Sequence, residues 1–136
     1  MLREPILIVD DNQMNLKMER LLLELEGYQV QIAKNASEVW VVLENFKPRM
    51  ILMDFGLPGL DGVELTRQLK KDPRIKDVVI LLLSSYDQKG DEEKALAAGC
   101  NGYIHKPIDI KTFPRIVENL LKGPSGVKGW QERGEI

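Results

Sequence analysis

Short apolar runs alternate along the chain with stretches whose apolar residues recur every three or four positions. That alternation leaves few options: it predicts a parallel sheet joined by helical crossovers and covered on both faces. Ile6-Leu7-Ile8-Val9 is continuously apolar, as an interior parallel strand should be, and it ends in Asp10-Asp11. Met50-Ile51-Leu52-Met53 ends in Asp54-Phe55-Gly56 and then a turn, Leu57-Pro58-Gly59-Leu60-Asp61-Gly62. Gly102-Tyr103-Ile104-His105 ends in Lys106-Pro107. Ligand chemistry in open α/β sheets takes place at the carboxyl ends of the strands. Three acids and one lysine at such ends are therefore the expected functional core.

The remaining pattern fills in the crossovers. From Asn12 onward, Met14, Met18, Leu21, Leu22 and Leu25 recur at helical spacing, and Gly27 is placed to end that helix. Tyr28 to Ala33 alternates, with Val30 and Ile32 against Gln29 and Gln31, which predicts an edge strand with one wet face. Asn35 followed by Glu38 marks a helix start, with Val39, Trp40, Leu43 and Phe46 as its buried stripe and Pro48 as its stop. Asp61 and Glu64 open a helix that carries Leu65 and Leu69 inward, and Asp72-Pro73 breaks it. Val78 to Leu83 is the most apolar run and is expected at the centre of the sheet. The helix from about Gly90 to Ala98 has a thin apolar face (Ala95, Leu96 and Ala98) and is expected to be the mobile element. In the last helix either Asp109 or Thr112 can serve as cap. Thr112 is favoured, because Pro114 then falls in the first turn, where no intrahelical donor is needed.

At 136 residues the chain reads as one domain. A net charge of −2 gives no basic footprint for nucleic acid. Val78 to Leu83 is far too short to span a bilayer, so no membrane partner is expected. Met1-Leu2-Arg3-Glu4-Pro5 lacks a signal peptide's apolar core, so a cytoplasmic setting is expected. Cys100 is the single cysteine and His105 the single histidine, which excludes an internal disulfide and the usual His/Cys zinc centres. Beyond Gly123 the composition turns to Gly, Pro and charged residues, dividing the chain into a domain over 1–122 and a flexible tail or linker over 123–136.

Asp10-Asp11 after the first strand, Asp54 after the third, Ser84 after the fourth and Lys106-Pro107 after the fifth resemble the receiver domain of two-component response regulators, the CheY-like phosphoacceptors. Asp10-Asp11-Asn12 with Asn15, and later Gly90-Asp91-Glu92-Glu93 and Gly99-Cys100, are similar to single-domain regulators of the DivK type and to receivers attached to hybrid kinases. The resemblance covers roughly residues 5–122. It implies a flavodoxin-like, doubly wound α/β fold with five parallel strands in the order 2-1-3-4-5 and helices on both faces, the known strand order of CheY.

The resemblance also implies roles. Asp54 would take a phosphoryl group from a histidine kinase or histidine phosphotransfer protein. Asp10, Asp11, Asp54 and the backbone carbonyl of Gly56 would hold Mg²⁺, with Mn²⁺ as a substitute. The physics agrees, since two carboxylates about 4 Å apart in a partly wet site repel by roughly 4 kcal/mol and need a cation. Ser84 and Lys106 would bind the phosphoryl oxygens, and Tyr103 would switch with them. Gly56 and Tyr86 stand where side chains set phosphoryl lifetime, and Pro107 would follow a cis bond. The face of helix four, strand five and helix five would then change its affinity for a downstream protein, as a monomer or a phosphorylation-linked dimer. The competing reading is a Mg²⁺-dependent aspartyl-phosphate hydrolase of the haloacid dehalogenase type. That class expects a second acid two residues after the nucleophile, where this chain has Gly56, and a cap domain for which it has no room. A phosphoacceptor switch, not an enzyme, is the expected function.

Overall fold

The computed structural model describes residues 3–56, 61–84 and 91–122. Five strands, β1 (Pro5–Val9), β2 (Gln29–Ala33), β3 (Met50–Asp54), β4 (Val79–Ser84) and β5 (Gly102–His105), form one parallel sheet in the order β2-β1-β3-β4-β5. Five helices alternate with them: α1 (Gln13–Leu25), α2 (Ala36–Leu43), α3 (Gly62–Lys71), α4 (Asp91–Ala97) and α5 (Phe113–Leu121). All five residues of β3 are buried, as a strand covered on both faces requires. β2 has the alternating exposure expected of an edge. β4 is interior but stands one place from the edge, so the middle strand is β3; the apolar run at Val78 to Leu83 marks burial on two faces, not the sheet's midpoint.

Local chemistry sets the helix ends. The side chains of Asn12, Asn35 and Asp61 accept from the backbone N–H groups of Asn15, Glu38 and Glu64 at 3.0, 2.9 and 2.8 Å, each satisfying a donor that the first turn leaves orphaned. Gly27 after α1 has φ +94°, a left-handed conformation that favours glycine. α5 starts after Thr112 with Pro114 in its first turn, and Phe113, Val117, Leu120 and Leu121 are buried.

α1 departs from the simple expectation. Its buried residues are Leu16, Glu19 and Leu23, whereas Met14, Met18, Leu21 and Leu25 are 78, 37, 57 and 73% exposed. Two sets of residues at helical spacing compete here, and the sheet takes the one that contains a glutamate.

The end of the sheet away from the acids is tied together by one lysine. Lys70 on α3 donates to the carbonyl of Val78 at 2.6 Å and to Asn101 Oδ1 at 2.8 Å. The same Asn101 oxygen accepts from the backbone N–H of Ile80 at 2.9 Å. Burial pulls the Lys70 ammonium below its usual pKa. Cys100 beside it is buried, with its thiol pushed up to about 12 mainly by that burial, so it is an inert core residue.

Candidate functional site

Sheet register assembles the site. Val9 on β1 is in register with Met53 on β3, so the next residues, Asp10 and Asp54, leave neighbouring strands side by side. Adjacent strands are about 4.8 Å apart. Ser84 ends β4 and is in register with His105, so Lys106 leaves the sheet one residue later. Oxygens of Asp10, Asp11 and Asp54 lie within 4.8 Å of one another. Asp10 is 1% exposed and Asp54 9%, while Asp11 faces solvent.

Asp10 and Asp54 are both held. Asp10 Oδ1 accepts from the backbone N–H of Asn12 at 2.9 Å, and Asp54 Oδ1 from that of Gly56 at 3.4 Å. Lys106 Nζ donates to Asp10 Oδ2 and Asp54 Oδ1, both at 3.3 Å. Its own backbone N–H donates to the Ser84 carbonyl at 2.7 Å, and the Lys106-Pro107 bond is cis. Burial, then repulsion from Asp10, raises the Asp54 carboxyl above its usual range, with Lys106 opposing. Burial works against the Lys106 ammonium, but Asp54 and Asp10 outweigh it and raise its pKa. The pocket holds more negative charge than one lysine compensates.

The donor set suits a small hard cation. Three carboxylates offer oxygen only, one of them reaches solvent, and Mg²⁺ takes few carboxylates and keeps several waters. A Cβ at Gly56 would meet nothing within 4 Å, so the space beside that residue is open.

Gly62 fixes the approach of α3 to the acid strand. Its N–H donates to the Phe55 carbonyl at 3.0 Å, and a Cβ there would lie 2.4 Å from the backbone oxygen of Asp54. That contact is with backbone and cannot swing away. Gly62→Ala is expected to destabilise the fold by about 1–3 kcal/mol and to weaken cation binding by displacing Asp54. Denaturant unfolding and a Mg²⁺ titration of the same sample check both.

Ser84 and Tyr103 are buried at 2% exposure each. Tyr103 packs edge-on to Phe55 and to His105, with ring centroids 6.2 and 5.2 Å apart. Tyr86, the turn from Leu57 to Leu60 and the tail over 123–136 lie outside the described residues.

Hydrophobic spacing does not single out Glu19. It is 1% exposed, and neither carboxylate oxygen has a hydrogen-bond partner among the described residues. Burial, then repulsion from Asp10, pushes its carboxyl up to about 8; Lys106 opposes the shift and Asp54 adds to it. The available signal was an acid midway between Leu16 and Leu23, at a spacing that places all three on one helix face.

The same fold recurs in known proteins. The family model described as the response regulator receiver domain matches residues 6–118. The chain is 36% identical over 116 residues to the polar-differentiation response regulator DivK of Brucella anthropi, covering 85% of this chain and 94% of that protein. Among solved structures it resembles the receiver domain of a signal transduction histidine kinase from Syntrophus aciditrophicus, with TM-score 0.82 and 30% identity over 89% of this chain and 92% of that one. It also resembles the receiver domain of a sensor histidine kinase from Pseudomonas aeruginosa, with TM-score 0.80 and 31% identity over 88% and 98% of the two chains; that domain has a magnesium ion coordinated in its active-site cleft. Five parallel strands in the order 2-1-3-4-5, with paired acids, a third acid and a lysine at their carboxyl ends, thus accompany a family match across most of the sequence: the chain belongs to the response regulator receiver domains of two-component signalling.

Proposed function

We propose that Asp54 accepts a phosphoryl group from a histidine kinase or histidine phosphotransfer protein and that the adduct switches the binding face built on α4, β5 and α5. The observation that carries this reading is the convergence of three carboxylates and the Lys106 ammonium at one rim of the sheet. One oxygen of Asp54 forms the new P–O bond as the P–N bond to the donor's imidazole breaks, and the electron pair leaves with the donor nitrogen. Positioning and charge supply most of the catalysis in such a transfer. Asp10, Asp11, Asp54 and the Gly56 carbonyl would hold Mg²⁺, and Mn²⁺ accepts the same oxygen donors. Bound there, the cation would neutralise charge on the transferring phosphoryl group. The chain's own part is to aim Asp54, hold Lys106 against it and keep Asp10 and Asp54 from bulk water.

The exposed stripe of Met14, Met18, Leu21 and Leu25 on α1 supports a docking role for the phosphodonor. It begins three residues after Asp11 and runs about 16 Å along the helix, so an apolar helical partner seated on it has its histidine within reach of the pocket. The groove between β5 and α5, lined by Ile104, His105, Pro107, Ile108, Arg115 and Ile116, supports an output partner on the other side. In this reading Ser84 and Lys106 bind the phosphoryl oxygens, Tyr103 reports the change on β5, and Gly56 with Tyr86 sets how fast water removes the group. A cytoplasmic setting, a receiver unit over 1–122 and a tail over 123–136 belong to the same proposal.

The direct test is incubation with Mg²⁺ and acetyl phosphate followed by intact mass, in which an acid-stable, base-labile phosphoryl adduct is expected and a chelator prevents it. Lys106→Ala separates uptake from switching. Inverting a two-state equilibrium from 1:99 to 99:1 takes about 5.5 kcal/mol, and charge-assisted bonds of about 1.5–3 kcal/mol each are the available source. The variant is expected to take the phosphoryl group yet lose the accompanying change in the amide spectrum of β5 and α5. A full spectral change in the variant would show that the lysine is not the transducer.

A further inference from the structure

α1 has apolar residues on two faces. Leu16 and Leu23 are buried against the sheet. At 3.6 residues per turn, Met14, Met18, Leu21 and Leu25 point nearly the opposite way. Those four side chains are 78, 37, 57 and 73% exposed, so an apolar ridge faces solvent along three turns of helix. A folded domain seldom leaves so continuous a ridge uncovered, and a polar rim around one marks an interaction surface. One flank of the ridge is charged. Lys17 lies toward its N-terminal end and Glu24 toward its C-terminal end, both exposed, and a separation of seven residues puts them on the same side. Glu24 is shared with Arg20 of its own helix at 3.1 Å, whereas Lys17 makes no ion pair among the described residues.

We propose that this ridge is a self-complementary interface whose occupant is a second copy of the chain, with the two α1 helices antiparallel about a two-fold axis. The ridge residues follow one another at spacings of four, three and four, which is the seam of a coiled coil. Reversing one helix sets Met14 opposite Leu25 of the second copy and Met18 opposite Leu21, which closes the seam over its whole length. The same two-fold axis keeps the charged flanks together, so Lys17 of each copy meets Glu24 of the other, twice per dimer. Parallel helices would face that flank with Asn15 and Leu22 instead, and the charges would go unanswered. Two ridges together come to about 1,000 Å², the lower bound of a specific interface, so the dimer is weak and reversible. One consequence rests on the phosphoacceptor reading: a phosphodonor helix that uses this ridge must first displace the second copy, which shields the dimer from its donor. The interface itself does not rest on that reading.

Sedimentation velocity of the full chain at low salt is the test. Wild type is expected to move from one chain toward two between about 10 μM and about 1 mM, the range of a weak interface. Leu21→Glu puts an unpaired charge into the seam and is expected to weaken the dimer about tenfold or more. Lys17→Glu and Glu24→Lys each set like charges face to face and are expected to weaken it about fivefold. An equimolar mixture of those two variants is expected to recover wild-type association, because in each mixed pair two acids on one flank meet two bases on the other. All three positions are exposed, so the variants keep the fold. Three results would each overturn the proposal: a wild type still monomeric at about 1 mM, a dimer indifferent to Leu21→Glu, or a mixture no tighter than its components. The first of these would leave the ridge to the phosphodonor alone. Acetyl phosphate needs no such seat, so wild type and Leu21→Glu are expected to take up the phosphoryl group alike in the presence of Mg²⁺. A wild type that takes none overturns the Asp54 reading instead, and sedimentation still decides the interface.

Discussion

Asp54→Ala is expected to lose the phosphoryl adduct completely under conditions where wild type gains one phosphoryl group. The reason lies in what the other acids are doing. Asp10 is 1% exposed and has both oxygens engaged, one by the Asn12 N–H and one by Lys106. Asp11 faces solvent and, among the described residues, has no bond to the lysine. Neither combines a partly open face with an adjacent ammonium, as Asp54 does. The variant should nevertheless fold well. Removing a buried carboxyl that Asp10 repels relieves that repulsion in the free protein, and Lys106 keeps Asp10 as a partner. Loss of the adduct together with an unchanged or raised unfolding midpoint is thus the expected pair of results. Asp54→Ala protein that still gains one base-labile phosphoryl group would move the acceptor elsewhere.

The second large effect concerns stability. In metal-free protein the Glu19 carboxyl is raised from the usual 4.5 to about 8 by burial and by Asp10. The folded state therefore holds a proton that the unfolded chain has released, and stability falls as pH rises wherever the folded state binds more protons. The contribution is intact below about 4.5, declines across the window up to about 8, and then levels off. Its full extent is about 5 kcal/mol at 1.36 kcal/mol for each pH step, a large share of what holds a domain of this size together. Asp54 shifts in the same direction, so the diagnostic is the difference between proteins and not the wild-type curve alone. Glu19→Leu is expected to be the more stable protein throughout. The gap should be about 1–3 kcal/mol at the acid end, where only an unsatisfied neutral carboxyl is removed, and should widen toward the alkaline end. Denaturant midpoints across that range, with chelator present, give the comparison. Parallel curves would mean that the carboxyl ionises freely in the folded state.

The residues that make the pocket were legible because each sits at a break in an apolar run. Asp10, Asp54 and Lys106 interrupt strands whose burial admits no other charge, and parallel register then has to bring those breaks to one rim. Helix caps at Asn12, Asn35 and Asp61 were legible for a similar reason, since short polar side chains just before an apolar period have one favourable use. The inward face of α1 was not. Met14, Met18, Leu21 and Leu25 make as good a helical stripe as Leu16 and Leu23, and the choice depends on how α1 lies on β1 and β2. Hydrophobic spacing alone favours the face without the glutamate. The same limit explains β4: an apolar run reports cover on both faces of a strand, and every interior strand of a doubly covered sheet has that.

The lysine tie at the far end of the sheet bears on how far any signal can spread. Lys70 joins α3 to the backbone at Val78 and, through Asn101, to the start of β5 and to Ile80. If phosphorylation at the acid rim displaces β5, the displacement is expected to be largest at His105 and smallest at Gly102, next to the anchored Asn101. Amide exchange at Ile80 should be indifferent to the state of Asp54, which makes that strand root a fixed reference point for measuring everything that swings above it.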